Sequence, residues 1–260
     1  MSAALDRAVA VNDQGVNVAP ILERAIAAKA RRAQAAPAPQ HWRREIQSDA
    51  TRYTGAFRYE LPGDDKTLRI AETHASTGTK VWDCAVALAR MFESHQDTTS
   101  RLAIRPHERV LELGGGSGLL ALALAALGAD VTTTDAEQVV PHLRATIDAN
   151  AHAVAKAPTV RALDWRKAAD RSALGAFPVI VASDVLVCRQ WSENVAKVLA
   201  AVAARARLVV VAKQRRRDGV APFLEAVAPS FAVEEVEEQA FHPDYYHHDL
   251  QVLLITPRVR

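Results

Sequence analysis

A chain of 260 residues, 49% apolar and 24% charged, is long enough for one large domain and too apolar to stay unfolded. Its 32 basic and 30 acidic side chains leave a formal net charge of +2, without the concentrated basic excess that tracks phosphates, so nucleic acid is not expected as a partner. Two cysteines, Cys84 and Cys188, neither in a CxxC pair, argue against a disulfide framework or a bound metal and for a reducing, cytoplasmic location.

The first 45 residues differ from the rest. Helix-compatible stretches at Ala3–Val11 and Ala19–Ala35 run into Ala36-Pro37-Ala38-Pro39. Proline resists helix and sheet interiors, so this part reads as a mobile or loosely docked arm, with one domain over residues 46–260. No apolar secretory core is present at the N-terminus. The longest apolar run, Leu119–Leu127, is too short to span a bilayer, and no membrane association is expected. The basic runs Arg31-Arg32 and Arg215-Arg216-Arg217 read as solvated surface.

Residues 52–70 predict a hairpin: Tyr53, Phe57 and Tyr59 alternate, Leu61-Pro62-Gly63-Asp64 turns, and Thr67–Ile70 returns. Beyond Thr77-Gly78, a helix is expected over Val81–Glu93 with Trp82, Ala85, Val86, Ala89 and Phe92 on one face. Strands then alternate with helices. Arg109–Leu113, Asp130–Thr134, Thr159–Leu163, Pro178–Ala182 and Leu208–Ala212 are expected strands; helices follow the first, the second (Glu137–Asn150) and the fourth (Trp191–Arg205). This pattern specifies a parallel sheet with right-handed crossovers. Phe231–Phe241 and Leu250–Thr256 follow without a helix between them. They predict an antiparallel pair and complete a doubly wound, Rossmann-like α/β sheet of seven strands, mostly parallel, with an antiparallel C-terminal strand and an N-terminal extension.

The sharpest local feature is Glu112-Leu113-Gly114-Gly115-Gly116-Ser117-Gly118, between a strand and a helix. Glycine there permits a tight turn and close approach of a ligand to backbone amides at a helix start. Gly114 and Gly116 fit a dinucleotide fingerprint, but Leu119 stands where its last glycine belongs. The GxGxG spacing after Glu112 suits S-adenosylmethionine better than NAD, with Glu112 taken among the cofactor-binding residues; the plain alternative is a turn serving strand–helix packing. Asp135 ends the second strand, about twenty residues beyond the first glycine, where a carboxylate can accept ribose hydroxyls or cap the next helix. Asp164-Trp165 follows the third strand, an acid beside an aromatic that can serve an adenine ring or simply line the rim.

With these residues in order, the chain resembles the seven-β-strand protein lysine methyltransferases, over residues 68–256. The resemblance rests on Thr77–Asp83, Leu111–Gly118, Thr134-Asp135, Leu163–Trp165 and Ala182-Ser183-Asp184-Val185. It implies a S-adenosylmethionine pocket lined by Trp82, Gly114, Gly116, Asp135, Trp165 and Ser183, with Asp184 near the methyl acceptor, a lysine on a protein substrate. A helix cap is the structural alternative for Asp184. One departure stands out: the family's Asp-x-x-Tyr ends here in Val187, and Tyr245-Tyr246 offer either a substitute aromatic face or an exposed loop patch. A small-molecule methyltransferase and a cofactor-binding module without turnover remain alternatives. His247-His248-Asp249 lacks the further ligands of a metal site.

Overall fold

The computed structural model describes Trp42 and residues 56–63, 66–73, 76–97, 99–215 and 217–258. The chain divides into residues 1–40 and 41–260, and every described residue belongs to the second unit. The two expected N-terminal helices, the Pro/Ala segment, Tyr53 and Asp64 lie outside the described residues.

Strands β1 (Ala56–Glu60) and β2 (Thr67–Ala71) form an antiparallel pair with Phe57 opposite Ile70 and Tyr59 opposite Leu68. All four of these side chains are buried, the alternation expected of a half-buried hairpin. The Asn150 side chain holds β2 in place, accepting from Arg69 N at 2.8 Å and donating to Arg69 O at 3.0 Å.

The main elements follow in chain order: α1 (Asp83–Ser94), β3 (Arg109–Leu113), α2 (Leu119–Ala126), β4 (Asp130–Asp135), α3 (Val140–Asn150), β5 (Thr159–Ala162), α4 (Ala168–Ser172), β6 (Val179–Ser183), α5 (Arg189–Val202), β7 (Leu208–Gln214), α6 (Val220–Val227), β8 (Phe231–Glu235) and β9 (Leu250–Pro257). The seven-stranded sheet runs β5-β4-β3-β6-β7-β9-β8. Pairings from β5 through β7 are parallel, and β9 is antiparallel to both β7 and β8. Alternate strand residues face two separate cores. Val110, Val179, Val181 and Val210 pack with α1, α2 and α3, whereas Leu111, Leu113, Ile180 and Val211 pack with α5 and α6. Helix α2 is apolar on every side because it is buried on every side.

Beyond shifts of a few residues at element ends, three elements differ from the sequence expectation. Helix α6 was not anticipated: Pro222 looks like a breaker, but it stands in the first turn, where an N–H has no intrahelical acceptor to lose. The short α4 was also missed, having no buried side chain to give it an apolar stripe. The strand expected to reach Phe241 stops at Glu235, and 3-10 turns at Glu238–Ala240 and Pro243–Tyr245 follow. None of the helices among the described residues is long and apolar enough to cross a membrane.

Candidate active site

Strand order reverses on either side of β3, and such a switch point opens a crevice beyond the carboxyl ends of the strands. A cavity of about 510 Å³ lies there. Its floor is the turn after β3. Gly114 N and Gly115 N both donate to Thr134 O at 2.9 Å, which ties the turn to β4. Gly114 has φ +73° and a Cβ on it would come within 2.7 Å of Val185 Cγ1, so only glycine fits. Gly116, also left-handed at φ +52°, passes under Gly78 O at 3.1 Å from where its Cβ would be.

The Asp135 carboxylate clamps this turn from β4, accepting from Gly116 N at 2.8 Å and from Ala136 N at 2.7 Å. Burial raises its pKa, opposed by those two N–H bonds. Glu112 lies behind the turn rather than on the cavity wall: it is 1% exposed and accepts from Thr133 Oγ1 at 2.6 Å. Burial pushes its pKa up to about 7, the Thr133 bond opposing and the Asp135 charge adding to the rise. A Cβ on Gly115 would collide with Thr133 Oγ1, so the middle glycine is required by this buried knot.

Across the cavity, Trp165 reaches over Gly114 and meets Trp191 edge-on, with ring centroids 5.7 Å apart. The Trp165 indole N–H is buried and finds no hydrogen-bond partner among the described residues. Asp164 is gripped by Arg166 through Nε and Nη2, both at 2.8 Å. Those bonds hold its pKa down at about 2. Ser183 closes β6 on the wall. Asp184 follows at φ +55°, a left-handed position that Asp tolerates better than most residues, pinned by its N–H to Ala212 O at 2.8 Å. Its side chain is only 4% exposed and meets Arg217 Nη2 at 3.4 Å, with Gln214 Nε2 also at 3.4 Å. Trp82, the residue before α1, donates to Thr77 O at 3.0 Å and carries the Arg217 guanidinium 5.8 Å from its ring centre.

A sequence profile described as lysine methyltransferase matches residues 62–229, more than half of the chain. The chain belongs to the lysine methyltransferase family. Among its relatives, Protein N-lysine methyltransferase METTL21A of Danio rerio is 28% identical over 73% of this chain and 82% of its own length. Protein-lysine methyltransferase METTL21E of Mus musculus is 25% identical over 65% of this chain and 69% of its own length. Of solved structures, the 16S rRNA N2 G1207 methyltransferase RsmC of T. thermophilus, in complex with AdoMet and guanosine, shares the fold with a TM-score of 0.51. It is 18% identical, covering 84% of this chain and 47% of that one. Membership of the family makes this protein an S-adenosylmethionine-dependent methyltransferase.

Of the nine candidate cofactor and acceptor residues in this lysine methyltransferase, eight reach the cavity: Trp82, Gly114, Gly116, Asp135, Asp164, Trp165, Ser183 and Asp184. Glu112 does not. Trp191 and Arg217 are among the wall residues that were missed. Trp191 was read only as a helix start, and Arg217 as one of three solvated arginines; nothing local distinguishes it from Arg215, which pairs with Glu235 elsewhere. Val187 is on the wall and 47% exposed. The tyrosine pair offers no face there, nor is it an exposed patch. Tyr245 packs on Trp42 at 5.4 Å between ring centres, and Tyr246 on Phe241 at 5.0 Å beside a separate hollow of about 360 Å³. His247 is buried with Nε2 3.7 Å from Asp83 Oδ2, and no group of three or more metal-ligating side chains occurs among the described residues.

Proposed function

We propose that this chain methylates a lysine ε-amine of a protein substrate, with Asp184 at the acceptor end of the cavity and the glycine turn at the cofactor end. One observation carries the reading: a side-chain-free turn clamped by Asp135 and a nearly buried carboxylate, Asp184, open into the same cavity. That cavity, about 510 Å³, is within the range that encloses a ligand of this size. The residues present fit the cofactor: two glycines with no room for a Cβ, a buried indole N–H lacking a partner, and aromatic faces from Trp82 and Trp165.

When bound, S-adenosylmethionine supplies an electrophilic methyl group on a sulfonium. Gly114 and Gly116 would leave the backbone open to its amino-acid end, Asp135 would accept from the ribose, and Asp164 with Trp165 would hold the adenine. Trp82 and Ser183 complete the wall, and Glu112 keeps the turn in shape from behind. Asp184 would accept a hydrogen bond from the incoming neutral amine and aim its lone pair; as the N–C bond forms the S–CH3 bond would break, leaving S-adenosylhomocysteine as a thioether, and the methylated ammonium would give its proton to solvent. Displacement at carbon needs little beyond this positioning and the exclusion of water. The reading includes residues 1–45 as an arm on a transferase domain of residues 46–260, and a cytosolic location in keeping with two cysteines in the sequence.

The test is calorimetric titration with S-adenosylmethionine and with NAD, then transfer of a labelled methyl into a cell extract. Binding of S-adenosylmethionine alone and recovery of labelled methyl-lysine from a protein band support the proposal. Label in a small molecule, or binding with no labelled product, overturns the protein-lysine assignment.

A further inference from the structure

A carboxylate alone at the acceptor end would hold the amine in the wrong state. Free lysine has a pKa of about 10.4, and an adjacent negative charge raises it further, stabilising an ammonium that has no lone pair for attack. This cavity does not offer a lone carboxylate. The Arg217 guanidinium is 3.4 Å from Asp184 Oδ2 in a site where their side chains are 19% and 4% exposed. It is also held over the Trp82 ring at 5.8 Å, a second contact that resists its swinging away. A guanidinium facing a carboxylate at this distance makes an ion pair that is neutral overall.

We propose that Arg217 is a positioning residue that keeps the acceptor amine unprotonated, by cancelling the field of Asp184 and repelling an ammonium beside it. This rests on the lysine reading above. Asp184 can then accept a hydrogen bond from a neutral amine without drawing in its charged form, and the burial of both side chains lets the nearby guanidinium act strongly.

The other charges facing the pair do not undo this. From the segment before α1, Lys80 stands on the same wall and adds positive potential; on β7 the buried Lys213 interacts electrostatically with Asp184, and burial lowers its pKa. Across the cavity, Asp164 is already matched by Arg166, and Asp170 shares that rim with Lys167. Asp135 and Glu137 stand at the β4 side, with Asp135 committed to the glycine turn. At the start of α1, Asp83 is within 3.7 Å of His247.

The test uses the full chain and, as acceptor, the protein it labels in an extract, purified and saturating. The rate at saturation reports ionisations in the ternary complex, so kcat is followed from about pH 6 to about pH 10 for wild type, Arg217→Gln and Arg217→Lys. The expected result is an ascending limb moved up by about one pH unit or more in Arg217→Gln, with Arg217→Lys close to wild type. Calorimetric affinity for S-adenosylmethionine should be alike in all three. Superimposable limbs, an equal displacement in Arg217→Lys, or loss of cofactor affinity in Arg217→Gln would each overturn the proposal. If wild type labels no lysine, the lysine reading itself falls and takes this one with it; a labelled lysine with an unmoved limb sinks only the role of Arg217.

Discussion

Two carboxylates flank the glycine turn and do different work because their surroundings differ. Asp135 reaches the cavity with both oxygens on backbone N–H groups, while Glu112 is sealed behind it with one hydroxyl donor. Removing Asp135 takes away the clamp and the ribose acceptor together, so Asp135→Ala is expected to weaken S-adenosylmethionine binding by about 1–3 kcal/mol, read by calorimetry. Asp184→Ala should leave that affinity intact and lower turnover; loss of binding instead would place Asp184 in the cofactor half of the site. Glu112 makes a prediction about pH. Its folded pKa is raised from 4.5 to about 7, so the native state binds the extra proton between those values and stability declines as pH rises through that window, by about 3 kcal/mol in all. Glu112→Gln removes this loss, and its gain in thermal midpoint should be larger at about pH 8 than at about pH 4; an equal gain at both would show that Glu112 does not titrate this way.

Elements were legible where one side-chain pattern ran long enough to be read. The alternation of β1 with β2 declares itself by a period of 2, whereas β3 and α2 are largely apolar runs, told apart by length and by the β-branched or alanine-rich residues around them. Helix α6 was not legible, since eight residues with a proline give no such pattern; what makes it a helix is the slot it fills. Phe223 is fully buried in the second core, and Gly219 lets the helix start come against α5, where a Cβ would strike Ser192 Oγ and lie 2.6 Å from Leu186 O. Gly219→Ala is therefore expected to cost about 1–3 kcal/mol in a denaturant melt, despite alanine's better helix propensity. A neutral or stabilising result would mean the contact between α5 and the start of α6 yields easily.

At the scale of the molecule, the cavity is drawn from residues 76 to 217, all within the unit that spans residues 41–260. If residues 1–45 are an arm, a chain lacking residues 1–40 should keep its calorimetric affinity for S-adenosylmethionine and its melting temperature. A fall in both would make the N-terminus part of the cofactor fold. Buried Trp42, which donates to Asp244 O at 3.0 Å, remains in that shortened chain.

The sequence by itself determined the alternation of strands and helices, the seven-stranded sheet, the glycine turn and the carboxylate that ends β4. Each is written in contiguous residues, as a period, a turn that only glycine permits, or a spacing within one βαβ unit. The tertiary structure alone decided which charges face the cavity. Arg217 is 33 residues from Asp184, and Arg215 beside it pairs with Glu235 on β8. Glu112 adjoins the same turn as Gly114, yet strand pleating turns it into the protein, where loss of water resets its protonation. Desolvation and long-range charge pairing depend on what the whole chain brings near, and no local pattern records them.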